Sequence, residues 1–284
     1  MNSVQRLLAG AAFALACLTA TACKNGPSGP FDAGPVDGPT GLVTFAERAP
    51  ASPGSQPTYR INACFWSGLS ASAQAAGVDA GTVANPCPGN VQGGCCVSAT
   101  DPGVTDDGCV EENLDVGPVD VIVAGTTVGT LHFRQGLYVF ELREPLVWKA
   151  NDALEVKGGG QNGFPTFDVT VGAVAPVTVT APALPQAGLP LLSRDSALDV
   201  RWMPGGASLS DAWVEVTDPQ SGNLESVECP QQTDPGRQLI GPAALGQLPA
   251  AGLGLVEVWH ANRAGAGAIE AESRAVAELP VQTR

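Results

Sequence analysis

The residues that could do chemistry in this chain are few. Only two histidines are present, His132 and His260, and both fall in segments with the alternating pattern of strands. The sequence has no G-x-S-x-G, S-x-x-K or H-E-x-x-H motif and no glycine-rich phosphate loop. Paired carboxylates for glycoside hydrolysis are assembled only by the fold. We therefore predict a protein without enzymatic activity or cofactor, and keep a hydrolase as an alternative.

Cysteine is the most informative residue type. Eight cysteines are encoded, of which Cys17 lies in an apolar run near the N-terminus and Cys23 shortly after it. In an exported chain the six others, an even number, predict three disulfides. These six are Cys64, Cys87, Cys95, Cys96, Cys109 and Cys229. If all pair, one bridge must reach Cys229 from the cysteine-rich segment; the alternative is two bridges within that segment and two unpaired thiols, one of them Cys229.

The cysteine-rich segment also raises two possibilities for a metal site. Zinc could be held by Cys87, Cys95, Cys96 and Cys109, but structural zinc sites usually present two C-x-x-C-like pairs, which are lacking here. Carboxylates that could bind calcium surround Cys109. They belong to Asp101, Asp106, Asp107, Glu111 and Glu112. Because their spacing is not that of an EF-hand loop, we predict a solvated acidic loop and no metal, with calcium as the alternative.

Tryptophan side chains could form a stacking platform for a sugar. The chain has five of them, Trp66, Trp148, Trp202, Trp213 and Trp259. Trp202 falls where a core residue is expected, whereas Trp213 and Trp259 can face either side of their strands. A carbohydrate- or ligand-binding module is therefore an alternative functional prediction.

Charge argues against one class of partner. Fourteen Lys and Arg residues stand against 28 Asp and Glu, a formal charge of −14. Nucleic-acid binding depends on Lys and Arg that displace counterions from phosphates. We predict no nucleic-acid partner, and the same acidity argues against charge-driven adhesion to anionic lipid.

Residues 1–22 have the three parts of an export signal. Arg6 provides a positive start, Leu7 to Leu18 form an apolar run, and Ala20-Thr21-Ala22 supplies small residues before a cleavage point. The run is too short to span a bilayer, which needs about 20 apolar residues. We predict a cleaved signal peptide.

The segment from Ala20 to Cys23 resembles the lipobox of bacterial lipoproteins, in which a small residue precedes the cysteine that receives diacylglycerol; here Ala20 replaces the usual Leu. The resemblance implies a lipid on Cys23 and a membrane-anchored location in the cell envelope. Lys24 follows where enteric bacteria often use Asp for inner-membrane retention, which implies the outer membrane. A diacyl anchor with a further acyl chain binds more firmly than a single chain, whose binding is marginal. The alternative is a secreted protein.

The rest of the chain predicts an all-β fold with two β-sandwich-like modules. Residues 23–41 are rich in Gly and Pro and predict a flexible tether. A first β domain is expected over 42–172, with a loop-rich, cysteine-rich insertion at about 67–116. Short alternating strands separated by turns predict a second sandwich over 173–284.

The second module resembles fibronectin type III and related immunoglobulin-like domains. The matching stretches are Leu198 to Pro204, Ala212 to Val216 and Leu248 to Trp259, and the resemblance implies that Trp202 is the core tryptophan of an early strand. The chain as a whole looks like uncharacterised surface lipoproteins of high-GC Gram-negative bacteria, a resemblance that supplies no catalytic residues. We therefore expect a structural or interaction protein of the envelope, whose partner is an envelope protein or polysaccharide.

Overall fold

The computed structural model describes residues 40–50, 56–66, 90–92, 94–100, 113–183, 188–205, 211–217, 224–231, 234–248, 252–267 and 269–284. The predicted signal peptide, Cys23 and residues 23–39 of the predicted tether lie outside them, whereas Thr40 and Gly41, predicted as the end of the tether, belong to the first strand. Within them are seventeen strands and one short helix. They are β1 (Thr40–Arg48), β2 (Thr58–Trp66), β3 (Asn90–Gln92), β4 (Cys95–Thr100), β5 (Val119–Val123), β6 (Thr126–Arg134), β7 (Leu137–Leu142), β8 (Ala153–Gly158), β9 (Phe167–Gly172), β10 (Val179–Ala181), β11 (Leu191–Leu192), β12 (Leu198–Trp202), β13 (Asp211–Thr217), β14 (Leu224–Gln231), β15 (Arg237–Ile240), α1 (Pro242–Leu245), β16 (Gly252–Ala266) and β17 (Ile269–Thr283).

Alternating side chains explain why these segments become strands. In β9, Phe167, Val169 and Val171 are buried while Asp168 and Thr170 between them are exposed. Successive side chains of a strand point to opposite faces, so this pattern buries one face of the sheet. Helix α1 is a single turn that begins at Pro242 and buries Ala244 and Leu245.

The strands form three sheets. The largest has the order β2-β1-β17-β16-β13-β14-β4-β3, with β11 also paired to β17. A five-stranded sheet has the order β7-β6-β5-β8-β9, and a three-stranded sheet the order β10-β12-β15. All pairs are antiparallel except β1 with β17 and β11 with β17, which are parallel. The predicted all-β, sandwich-like fold is confirmed.

Two hydrophobic cores lie on the same face of the large sheet. The first is formed by the five-stranded sheet with β1 and β2, and includes Phe45, Phe65 and Leu131. The second is formed by the three-stranded sheet and α1 against β13, β14 and β16, and includes Trp202 and Val258. Trp202 is buried, as the resemblance to fibronectin type III domains implied.

The β16–β17 hairpin belongs to both cores. Its strands pair residue by residue over fifteen positions. Near the turn, Ile269 and Ala271 are buried in the first core, whereas Val256 and Leu279, further along, are buried in the second. One hairpin therefore stabilises both cores, because each loses apolar contacts if β16 or β17 is displaced.

Two hydrogen bonds with polar side chains of this hairpin join it to the end of β9 and the segment that follows, at a point between the two cores. The amide of Asn262 donates to the carbonyl of Gly172 at 3.0 Å, and the Ser273 hydroxyl accepts from the N–H of Val174 at 3.1 Å. The predicted domain boundary falls at this point, between residues 172 and 173. Strand pairing crosses that boundary twice, through β1 with β17 and β4 with β14.

Candidate functional site

The outer face of the large sheet, opposite the two cores, carries a line of acidic side chains. Strand pairing sets four glutamates directly opposite one another on the neighbouring strands β14, β13, β16 and β17. In that order they are Glu228, Glu215, Glu257 and Glu278, and we call them the glutamate row. Val214, Val216, Val256 and Val258 alternate with Glu215 and Glu257 and face the second core.

Burial and mutual repulsion act together on the glutamate row. Glu257 is only 8 % exposed. Its burial and the charges of Glu215 and Glu278, together with a hydrogen bond to Glu278, raise the pKa of Glu257 to about 8, although Arg48 acts in the opposite direction. Burial also raises the pKa of Glu228. The guanidinium of Arg48 forms an ion pair with Glu278 at the end of the row.

A tryptophan pair lies beside the glutamate row on the same face. Trp213 and Trp259 stand opposite each other on β13 and β16, with ring centroids 5.4 Å apart and ring planes 3° from parallel. Each indole therefore covers one face of the other, and both are half-buried. Trp148 and Trp202 are buried in separate cores, and Trp66 ends β2. The structure thus brings together two of the five candidate tryptophans, as a stack.

The two histidines lie apart from each other. His260 is fully buried, and its Nε2 lies 3.4 Å from Oδ2 of Asp234. The indole N–H of Trp202 donates to the same carboxylate at 2.6 Å. Burial lowers the pKa of His260, while Asp234 and a backbone hydrogen bond to Ala175 oppose that shift. A closed Trp202–Asp234–His260 cluster of this kind cannot reach a substrate in solvent, because its imidazole is covered on all sides.

His132 is partly exposed on the five-stranded sheet. Its Nε2 lies 3.5 Å from a carboxylate oxygen of Glu141, which is also 3.7 Å from the guanidinium of Arg134. These groups are on the surface, where ion pairs contribute little to stability.

A second buried carboxylate on the outer face has the opposite environment. Glu272, on β17, is 1 % exposed and lies between two guanidinium groups. Arg263 approaches it at 3.1 Å and Arg274 at 2.6 Å. Burial acts to raise the pKa of Glu272, but the two arginines outweigh it, and the pKa is lowered. We call these three residues the arginine–glutamate network.

One disulfide links the cysteine-rich segment to the C-terminal half. Cys95 in β4 is bonded to Cys229 in β14, 134 residues away, so the predicted crossing bridge is present. Cys64 and Cys96 are also disulfide-bonded. Oxidised cysteines do not provide the thiolates that zinc requires, so Cys95 and Cys96 are not zinc ligands.

The other predicted site residues lie outside the described residues. They are Cys23, Cys87, Cys109, Asp101, Asp106, Asp107, Glu111 and Glu112. In the part of the chain that the structure describes, no group of three or more His, Cys, Asp or Glu side chains could hold a metal ion. No helix in that part is long and apolar enough to cross a membrane.

Sequence reasoning missed the glutamate row and the arginine–glutamate network. A local signal was present, since Glu215 and Glu257 each stand between two valines in alternating strands. That signal predicts which way one side chain points. It does not identify the residue opposite, which depends on the register of strands far apart in the chain.

Comparisons with known proteins give little. No family model matches the chain, and no curated protein matches it. Among solved structures it is similar to one described as "Anomalous substructure of Titin-A168169", with 14 % sequence identity and a TM-score of 0.17, over 59 % of this chain and 83 % of that one. A similarity at that TM-score supports no argument about function.

Proposed function

We propose that this chain is a lipid-anchored protein of the bacterial cell envelope, with a structural or interaction role. The observation that carries the proposal is Cys23 directly after Ala20-Thr21-Ala22 and an apolar run with Arg6 before it. Two acyl signals give stable membrane attachment without any apolar surface on the protein itself. The partner is an envelope protein or polysaccharide.

The described body suits a presenting role. Both cores share the β16–β17 hairpin, and the Cys95–Cys229 bridge ties the cysteine-rich segment to the C-terminal half. A crosslink over so long a loop removes much conformational freedom from the unfolded chain. A body joined in this way keeps its surface loops in fixed relative positions, which favours recognition of a partner.

A carbohydrate- or ligand-binding module is the second candidate. The tryptophan pair favours it, because Trp213 and Trp259 retain partial exposure on the outer face and stacked indoles offer apolar area to a sugar ring. Quenching of tryptophan fluorescence by an envelope polysaccharide, abolished in Trp213→Ala, would favour this candidate over a purely structural role.

Metabolic labelling with palmitate tests the anchor. The wild-type protein should incorporate label and sediment with membranes, and Cys23→Ala should lose both properties. Cys17→Ala is the matched control, because it removes a nearby thiol from the apolar run and should leave labelling unchanged. Label that persists in Cys23→Ala would exclude a lipid on Cys23. Loss of label in Cys17→Ala alone would show that the lipid is on Cys17 instead.

A further inference from the structure

The glutamate row brings four acidic side chains close together on the outer face of the large sheet. Four carboxylates stand opposite one another across β14, β13, β16 and β17. Directly opposite side chains in antiparallel strands have Cβ atoms about 4.5–5.5 Å apart, and like charges at that spacing destabilise the pair. At one end of the row, the guanidinium of Arg48 pairs with Glu278.

Glu257 is the member that can least carry a charge. It has a carboxylate on each side, Glu215 on β13 and Glu278 on β17, whereas Glu278 has the Arg48 guanidinium from β1. On β16 itself, the neighbours on the same face are Leu255 and Trp259, which are uncharged.

Beyond Glu215, the remaining charged group is Glu228 on β14, another carboxylate. Cys96 on β4, opposite Glu228, adds no charge because it is disulfide-bonded. Of the charged groups that act on Glu257, Glu215 and Glu278 are carboxylates and Arg48 is a cation.

We propose that Glu257 holds a proton at neutral pH and donates it in a hydrogen bond to Glu278, so that the large sheet carries a proton-dependent latch between β13, β16 and β17. The protonated carboxyl removes the central charge of the row, and its hydrogen bond joins the two strands of the hairpin. Arg48 balances the carboxylate that accepts the hydrogen bond. This inference does not depend on the lipid anchor.

Loss of that proton has a structural consequence. An ionised Glu257 would face two carboxylates in a buried setting, and the repulsion would separate β16 from β13 and from β17. Those strands carry Val214, Val258 and Leu279 of the second core on their other face. The latch therefore makes the second core the more responsive of the two to alkaline pH, because the row lies at the second-core end of the hairpin and the first core meets the hairpin near its turn.

A carboxyl titration followed by infrared or carbon-13 NMR spectroscopy tests the proton. The wild-type protein should show one glutamate carboxyl that titrates near pH 8, the pKa raised by burial, Glu215 and Glu278. Glu257→Gln should abolish it. Glu278→Gln and Glu215→Gln should each lower the midpoint by about one pH unit, and Arg48→Met should raise it, because these changes remove neighbouring negative and positive charge respectively.

The matched control is Glu155→Gln, which removes a half-buried glutamate of the five-stranded sheet that pairs with Lys157. It should leave the midpoint unchanged. A wild-type protein in which all glutamates titrate below about pH 6 would overturn the proposal. So would a titration near pH 8 that persists in both Glu257→Gln and Glu215→Gln.

Hydrogen exchange tests the latch. As the pH rises through the midpoint, and after correction for intrinsic exchange, amides of β13 and β16 should lose at least tenfold in protection, while those of β5 and β8 in the first core keep theirs. In Glu257→Gln the loss should be absent. If that variant does not fold, Glu215→Gln should shift the loss to lower pH. Equal loss in both cores, or no loss in either, would exclude a latch.

Discussion

The glutamate row and the arginine–glutamate network lie on the same face of the same hairpin, yet their carboxylates behave in opposite ways. Glu272 is the more buried of the two central glutamates, and its pKa is lowered; Glu257 is less buried, and its pKa is raised to about 8. The residue opposite Glu272 on β16 is Arg263, whereas the residue opposite Glu257 on β17 is Glu278. The neighbours across the strand pairing, more than the depth of burial, determine the charge state.

Removal of the central carboxylate from the arginine–glutamate network should have the largest effect. Glu272→Gln removes the buried carboxylate that Arg263 and Arg274 share, while Arg263 keeps its ion pair with Glu270, and breaking a buried ion pair in this way costs about 3 kcal/mol. The free energy of unfolding, measured with urea at neutral pH, should fall by that amount. Glu155→Gln, which removes a half-buried glutamate paired with the exposed Lys157, is the control and should show a much smaller change, because Lys157 keeps its ion pair with Asp168. Equal stability of the two variants would contradict the comparison.

The same change in the glutamate row, Glu257→Gln, should raise the free energy of unfolding at neutral and alkaline pH, whereas Glu272→Gln lowers it. Because the folded-state pKa of Glu257 lies above its unfolded value, the stability it contributes is fully present below about pH 4.5 and is lost as the pH rises to about 8. Glu257→Gln should therefore stabilise the protein by about 2 kcal/mol at pH 8 and have little effect near pH 4.

Urea unfolding of both proteins across this pH range measures the difference. The two stability curves should converge at acid pH and separate as the pH rises. Curves that stay parallel from pH 4 to pH 9 would mean that Glu257 ionises equally in the folded and unfolded states.

Reversal of one charge in the glutamate row should give Glu257 an environment like that of Glu272. Its effect on the free energy of unfolding should be the smallest of the three. Glu215→Arg places a guanidinium opposite Glu257, as Arg263 stands opposite Glu272. The pKa of Glu257 should fall, and the folded state should gain about 1 kcal/mol above pH 8. Glu215→Gln is the control that removes negative charge without adding positive charge, and it should give a smaller gain. A loss of stability in Glu215→Arg alone would show that packing around the row dominates its electrostatics.

The sequence predicted much of the strand content. Apolar alternation in the sequence predicts strands at Val119–Val123 and Leu198–Trp202, and both are present with those bounds. The same pattern predicts a strand from Leu253 to His260, but β16 continues to Ala266, although Asn262 and Arg263 interrupt the apolar pattern. These positions are held by pairing with β17, which a local pattern does not reveal.

The cysteine-rich insertion shows a second limit of sequence reasoning. It was expected to be rich in loops, yet Cys95–Thr100 forms β4 and pairs with β14. The crossing bridge to Cys229 followed from counting cysteines, because an even number with one remote member requires it. The choice of Cys95 did not follow, since fifteen connectivities are possible for six cysteines. Only the alignment of β4 beside β14 brings that sulfur to its partner.

Strand β17 gives the body an order of assembly. It pairs with β16, with β1 in parallel and with β11, and it supplies side chains to both cores. During synthesis, the edge of β1 stays open and neither core can close until Ile269–Thr283 has emerged. We therefore expect the body to complete its folding only after these residues are translated, and not domain by domain as the chain grows. A stop codon at the position of Ala271, a dozen codons before Thr283, would remove β17 side chains from both cores and not from one alone.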